Sequence, residues 1–261
     1  MKALALCIAF LWPGLLFAEA GGRDGDPATP YELVASVERA TMTPGFRLRA
    51  TLMRDGDEPG QSLRVLIAGE KDSRRHRLMI RALGPEAWRN KTVVVESGAG
   101  VPVHAASYGM GDGTAAAAVN AFSAVFGSAL VPWHLTGEWW RWPRQAKVRE
   151  EAMLGQDCVI VESRGGPGPV VRVRSWIAPQ LRMPARVEFY GAEGLLLGTI
   201  RVTRYFRRAD GSGAARTMVI SDGRDGATRF EIYSGEEGIE LAADTFLVPG
   251  APTGIPVRDA K

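Results

Sequence analysis

Four of the seven tryptophans, Trp133, Trp139, Trp140 and Trp142, fall in the stretch LVPWHLTGEWWRWPRQ (130–145), with Arg141 and Arg144 beside them. Indole is a large apolar surface with one N–H to satisfy, so clustered tryptophans fill a core, anchor an interface or line an apolar cavity. Arginine adds a planar fork of donors matched to carboxylate or phosphate. The chemistry such a stretch can do is recognition of an apolar body with an anionic head. Phe122 and Phe126, just upstream, extend the apolar set. The candidate ligand-binding residues, at the lid or mouth of a cavity, are therefore Phe122, Phe126, Trp133, Trp139, Trp140, Arg141, Trp142 and Arg144. The same rings could instead plug a core, and the sequence leaves both readings open. Pro132 and Pro143 exclude a continuous helix, since each removes a backbone donor and disfavours helical geometry before it.

Bond-making chemistry finds no comparable support. His76, His104 and His134 are scattered without metal-ligand spacing, and neither H-E-x-x-H nor G-x-S-x-G occurs. Gly109, Gly111 and Gly113 suggest a phosphate loop, but the parallel strand–loop–helix–strand unit that would give it meaning is missing. Among the carboxylates, Glu188 and Glu231 alternate with apolar residues in strands, where they can pair with arginines across a sheet, and Glu236 and Glu237 read as turn. Nothing selects a catalytic pair. The expectation is a protein that is not an enzyme, with no catalytic residues, no metal and no cofactor. Cys158 is the only cysteine beyond the first twenty residues, which excludes an internal disulfide from Gly21 onward; its place in DCVIVES suits a buried strand residue. A formal charge of +3 with 29 acidic residues gives no reason to expect nucleic acid as a partner.

These residues need elements to hold them. The first, MKALALCIAFLWPGLLFAEA, is a basic start, an apolar run and small residues at Ala18 and Ala20, the pattern of a secretory signal peptide cleaved after Ala20. Residues 21–30 read as a flexible leader, 31–249 as one domain and 250–261 as a tail. Thr29 can cap, and Pro30 open, a helix through YELVASVERATM with Leu33, Val34, Val37 and Met42 near one face. Alternation of apolar and polar residues then predicts strands at FRLRATLM, SLRVLIAGE, RHRLMIRAL and KTVVVES. A second helix is expected over Thr114 to Phe126, capped by Asp112 or Thr114 and stopped by Gly127. The tryptophan-rich segment follows as an ordered loop. Further strands are expected at DCVIVESR, VVRVRSWI, ARVEFYG, LLLGTIRVTRYF, ARTMVI, TRFEIYS and DTFLV, with turn residues between them. Two helices are too few to cross over between parallel strands, so one large antiparallel sheet covered by helices is the expected architecture, mainly β with α.

The second strand series resembles the outer membrane lipoprotein-sorting protein family, related to the LolA and LolB lipoprotein carriers. The matching positions are Gly155, Asp157 and Cys158; Trp176 and Ile177; Pro184, Val187, Glu188, Phe189 and Tyr190; Gly194, Leu195 and Leu196; and Asp244 and Phe246. The likeness runs from about Tyr31 to Phe246 and is strongest after residue 150. It implies a curved antiparallel half-barrel of about eleven strands closed by helices over an apolar cavity. It also implies a periplasmic carrier that shields acyl chains during transfer toward the outer membrane. The expected partners are an acylated lipoprotein or lipid, with transient membrane contact and an inner-membrane transporter as a further candidate. The stretch GEWWRWPRQ is not part of that family pattern. An alternative from another class is a non-enzymatic module docking on such a transporter or an envelope complex through an exposed Trp and Arg patch.

Overall fold

The computed structural model describes residues 29–58, 61–98, 101–109, 117–166, 168–223 and 226–247. The signal peptide, most of the leader, the Gly111 to Gly113 stretch with the proposed caps Asp112 and Thr114, and the tail lie outside them. The helix α1, Pro30–Thr41, begins as the sequence dictates. The Thr29 hydroxyl accepts from the Glu32 amide at 3.2 Å, and the Glu32 carboxylate accepts from the Thr29 amide at 2.7 Å, a reciprocal capping box. Leu33, Val34 and Val37 are its buried face. Met42 ends it in an extended conformation and is exposed rather than part of that face.

Among the described residues thirteen strands form one antiparallel sheet. The first six are β1 (Thr43–Arg54), β2 (Leu63–Lys71), β3 (Arg75–Gly84), β4 (Lys91–Gly98), β5 (Val101–Gly109) and β6 (Ala117–Ala118). The other seven are β7 (Arg144–Met153), β8 (Gln156–Arg164), β9 (Arg172–Ala178), β10 (Met183–Tyr190), β11 (Leu196–Arg207), β12 (Gly213–Ser221) and β13 (Ala227–Glu237). Their order is β6-β5-β4-β3-β2-β1-β13-β12-β11-β10-β9-β8-β7. The chain therefore starts in the middle, meanders to one edge, crosses to the opposite edge through residues 119–143, and meanders back until β13 pairs with β1. In that closing pair Leu52 faces Phe230 and Arg47 faces Glu236. The sheet is curved and open, with β6 and β7 as its edges, as the half-barrel expectation has it.

Strand alternation sends two sets of side chains to two faces. The enclosed face carries Leu52, Val65, Ile80 and Val95 from one half and Val161, Val187, Phe189 and Phe230 from the other, in a single buried cluster with α1 and the crossing segment. The outer face is not bare. Cys158, Ile160, Trp176 and Leu181 form a second cluster. Phe246 packs with Met79, Val94 and Tyr108 in a third, and Arg77 lies 4.5 Å from its ring centroid.

Several expectations need correction. Among the described residues α1 is the only α-helix. Over the expected helix from Thr114 to Phe126, Ala117 and Ala118 pair with Ser107 and Ala106 on the sheet edge, and the chain then turns. The amides are engaged elsewhere: Val119 donates to Ala105 at 3.0 Å, Phe122 to the Asn120 side chain at 2.9 Å and Val125 to Leu130 at 2.9 Å. Phe126 sits at φ 55°, left-handed backbone that ends any helical run. The sheet edge has outcompeted alanine-rich helix propensity. DTFLV is a turn over its described residues, and Glu236 and Glu237 belong to β13 rather than to a turn. Glu188 and Glu231 pair with Arg186 and Arg229 two residues away on their own strands, whereas Glu236 reaches across to Arg47 at 3.4 Å. Strands β5, β6 and β7 were not expected.

Candidate functional site

The crossing segment is built from short turns because proline and glycine break it up. Pro132 opens a 3-10 turn through Leu135, Gly137 reverses the chain at φ 71°, and Glu138–Arg141 forms another. A side chain at Gly137 would also run into the Trp140 ring at 2.8 Å. Buried polar residues tie these turns down. The Gln145 amide donates to the carbonyls of Trp139 and Trp142 at 3.1 and 3.0 Å, and Ser163 donates to Gln145 at 2.7 Å. Ala129 donates to the Thr228 hydroxyl of β13 at 2.8 Å, and Tyr31 of α1 donates to the Pro143 carbonyl at 2.9 Å.

Trp133, 2% exposed, is the hub of the enclosed face. Its ring centroid lies 5.1 Å from Phe122, 5.4 Å from Trp139, 5.6 Å from Phe189 and 6.2 Å from Trp142. Trp140 meets Trp139 at 5.1 Å, and His134 stacks on Phe189 at 4.1 Å. Trp142 lies so close to Gly166 that a Cβ there would fall 1.8 Å from its ring; only glycine admits the contact. The structure thus gathers Phe122, Trp133, Trp139, Trp140 and Trp142 into one aromatic body that fills the face between α1 and β10. All four tryptophans are buried, none more than 7% exposed.

The remaining candidates lie apart. Arg141 is held by Glu38 of α1 at 2.5 Å, donates to the Asp72 carbonyl at 3.2 Å and lies 3.9 Å from Glu138. A head group would reach it only in exchange for Glu38. Arg144 is exposed at the start of β7. Phe126 meets Trp88 edge-on at 5.9 Å and borders a cleft of about 350 Å³. The cleft lies between β4, β5 and residues 119–126, with Trp88, Lys91, Val93 and Ser107 on one side and Val119, Asn120, Ser123 and Val125 on the other. The Lys91 ammonium lies 4.7 Å from the Trp88 ring centroid. Trp88 and Lys91 were not singled out from sequence, since they sit in an ordinary break between two strands. Gly166 was read only as a turn residue.

Charge is buried where the crossing segment meets α1 and the β2–β3 end. Lys71 donates to Thr41 at 3.1 Å; burial lowers its pKa to about 8, with Glu38 opposing the shift. His76 Nδ1 lies 3.0 Å from the Thr136 carbonyl and so carries the proton that it donates. Burial first, and then Lys71, hold its pKa down at about 3. Burial also lowers His134 to about 3 and raises Glu138 above the usual carboxylate value. Burial of this extent favours the neutral or paired form of each group. Among the described residues no group of three or more His, Cys, Asp or Glu side chains could hold a metal ion, and no helix is long and apolar enough to cross a membrane.

The architecture has counterparts among solved structures. A domain described as that of an outer membrane lipoprotein-sorting protein, from Vibrio parahaemolyticus, superposes with a TM-score of 0.71 at 15% identity, covering 82% of this chain and 94% of that one. A LolA superfamily protein from Nitrosomonas europaea gives 0.65 at 12% identity over 85% and 98% of the two chains. A DUF1329 family protein from Desulfovibrio piger gives 0.72 at 15% identity over 84% and 95%. At these identities the likeness establishes a shared fold, the LolA-like open half-barrel. No protein-family model matches the sequence. A stretch of 75 residues is 35% identical to trans-aconitate 2-methyltransferase of Streptomyces avermitilis, but it spans only 28% of that enzyme and 29% of this chain.

Proposed function

We propose that this chain is a periplasmic carrier that shields the acyl chain of a lipoprotein or lipid during transfer toward the outer membrane. The observation that carries the reading is topological. One apolar face of an open, LolA-like sheet is covered by the segment that connects its two edges, and that segment is made of turns rather than of a packed helix. Removing an acyl chain of about sixteen carbons from a membrane into water costs on the order of 12 kcal/mol at ~0.8 kcal/mol per methylene. A carrier replaces that contact with an apolar interior, and a curved sheet does so without disturbing its backbone hydrogen bonds.

The cover is held in place at a polar cost, which suits a part that must yield. Trp139 Nε1 and His134 Nδ1 are buried with no hydrogen-bond partner among the described residues, and an unsatisfied buried polar group costs about 1–3 kcal/mol. Lys71 is buried as well. On this reading Phe122, Phe126, Trp133, Trp139, Trp140 and Trp142 form the closure, with Arg141 and Arg144 at its end. Val171, Leu195 and Leu196, exposed where β9 begins and the β10–β11 turn ends, supply an apolar tip for transient membrane contact. The docking-module alternative loses its main support, because the tryptophans are buried and offer no exposed patch.

The test is transfer of a fluorescent fatty acid from donor to acceptor vesicles. The mature protein accelerates transfer in proportion to its concentration if it is a carrier. A rate independent of protein at equimolar protein and fatty acid overturns the proposal.

A further inference from the structure

We infer that the outer face of the sheet carries a docking site for an extended acidic segment of a partner protein, along a belt of arginines that crosses the strands from β3 to β11. The inference goes beyond the carrier reading and needs neither the apolar interior nor the crossing segment. Ala50, Val65, Ile80 and Ile200 belong to the enclosed core, so their chain neighbours Arg49, Arg64, Arg81 and Arg201 point the other way. Arg204 joins them past a register shift in β11. The register sets the five side by side. Arg49 and Arg81 flank Leu66 on neighbouring strands. One continuous row runs Arg64, Thr51, Glu231, Thr217, Arg204 across β2, β1, β13, β12 and β11. Arg201 lies on the next row, with Val219, Arg229 and Met53.

This charge is not balanced within the face. The nearby carboxylates Glu188, Glu231 and Glu236 are taken by Arg186, Arg229 and Arg47, and among the described residues none of the five belt arginines has an ion-pair partner. Four of them are exposed, and the partly buried Arg81 keeps its Nε without an acceptor. Arg201 even stands directly opposite Arg186 on β10, and like charges so placed weaken a sheet. A local rule broken without compensation inside the fold points to a use outside it. The whole chain carries only +3, so the belt is a local feature. Guanidinium forks match carboxylates in geometry, and arginine clusters are a recurring means of holding acidic motifs. Six strands at about 4.8 Å spacing make the belt about 24 Å long, the reach of roughly seven extended residues. The belt follows the convex curve of the sheet, where a planar bilayer would touch only part of it and a flexible chain can follow all of it. Leu66, Val219 and Met53, none of them buried, stand between the arginines and offer apolar contact to the residues between the acids.

The experiment titrates the full-length mature protein into fluorescently labelled octaglutamate at low salt and reads anisotropy, with labelled octalysine as control and phosphatidylglycerol vesicles in a parallel sedimentation assay. The expected result is one octaglutamate per chain, no octalysine, and an affinity that falls as salt is raised. Arg49→Gln together with Arg201→Gln weakens octaglutamate by about twenty-five-fold, at up to about five-fold for each exposed pair. Arg39→Gln together with Arg74→Gln removes the same charge from exposed positions on α1 and the β2–β3 turn and changes the affinity less than about two-fold, because distant charges are screened. The melting temperature of the belt variant equals or exceeds that of the parent, since Arg186 no longer faces a like charge, so its loss of binding is not a loss of fold. An equal loss in the two double variants, or no octaglutamate bound at low salt, overturns the belt and leaves the carrier reading standing. Vesicle binding that exceeds peptide binding and disappears with Arg49 and Arg201 assigns the face to a membrane and overturns the protein partner.

Discussion

Replacing Trp133 by alanine removes the ring that holds the crossing segment to the sheet. The side chain is 2% exposed and touches rings from three directions: Phe122 upstream, Trp139 and Trp142 downstream, and Phe189 on β10. Truncating a buried Trp costs about 3–5 kcal/mol, comprising lost transfer energy and the cavity left behind. The segment consists of turns and can partly collapse into the gap, so the lower end, about 3 kcal/mol, is expected. At ~2–4 °C per kcal/mol for a domain of this size, the melting temperature falls by about 6–12 °C. Urea titration should show a lower midpoint with an unchanged slope. The cavity is apolar and roughly indole-shaped, so indole should raise the melting temperature of Trp133→Ala and leave the parent protein unmoved. A loss below about 1 kcal/mol, or equal stabilisation of both proteins by indole, would refute the packing argument.

Arg141→Met should cost about 3 kcal/mol, the lower end for breaking a buried pair, because it leaves the half-buried Glu38 and Glu138 near Lys71 with one cation too few. Adding Glu38→Gln should recover part of that loss, as a double-mutant cycle in urea would show; strictly additive effects would mean that the pair is not coupled. Stability should also depend on pH in a stated direction. The pKa of His76 and of His134 falls from 6.5 when unfolded to about 3 when folded, so their contribution is complete above pH 6.5 and is lost as pH falls from 6.5 toward 3. Each pH unit in that window costs about 1.4 kcal/mol per histidine. Lys71 drops from 10.5 to about 8, so stability should rise again between pH 8 and 10.5. Melting curves of the parent and of His134→Gln test the acid limb, which should become shallower in the variant.

The strands with regular alternation were legible because one face is buried and the other is not. FRLRATLM carries that signature and β1 lies where it places it, while RHRLMIRAL and DCVIVESR form β3 and β8 at the expected places although both of their faces are partly buried. Strand β7 carries none. Its sequence RQAKVREEAM is mostly exposed at the sheet edge, and charge on an edge strand guards against pairing with other chains rather than reporting burial. The run TAAAAVNAF carries a helical signal that tertiary contacts override, with Ala117 and Ala118 drawn to β5. The aromatic cluster itself could be seen in the spacing of the tryptophans. Phe122, eleven residues upstream of Trp133, could be seen with it, but Gly166 and Phe189 could not, because they meet Trp142 and Trp133 only once β7 to β10 have paired. The cleft beside Lys91 was hidden for the same reason, since its walls come from segments about thirty residues apart that carry no shared motif.

Native mass spectrometry of the mature protein purified from the periplasm, followed by solvent extraction and lipid analysis, tests the carrier reading most directly. The account predicts a stoichiometric lipid or acylated species that is released when the protein unfolds. A protein that emerges empty, and stays empty after incubation with fatty acid, would contradict it.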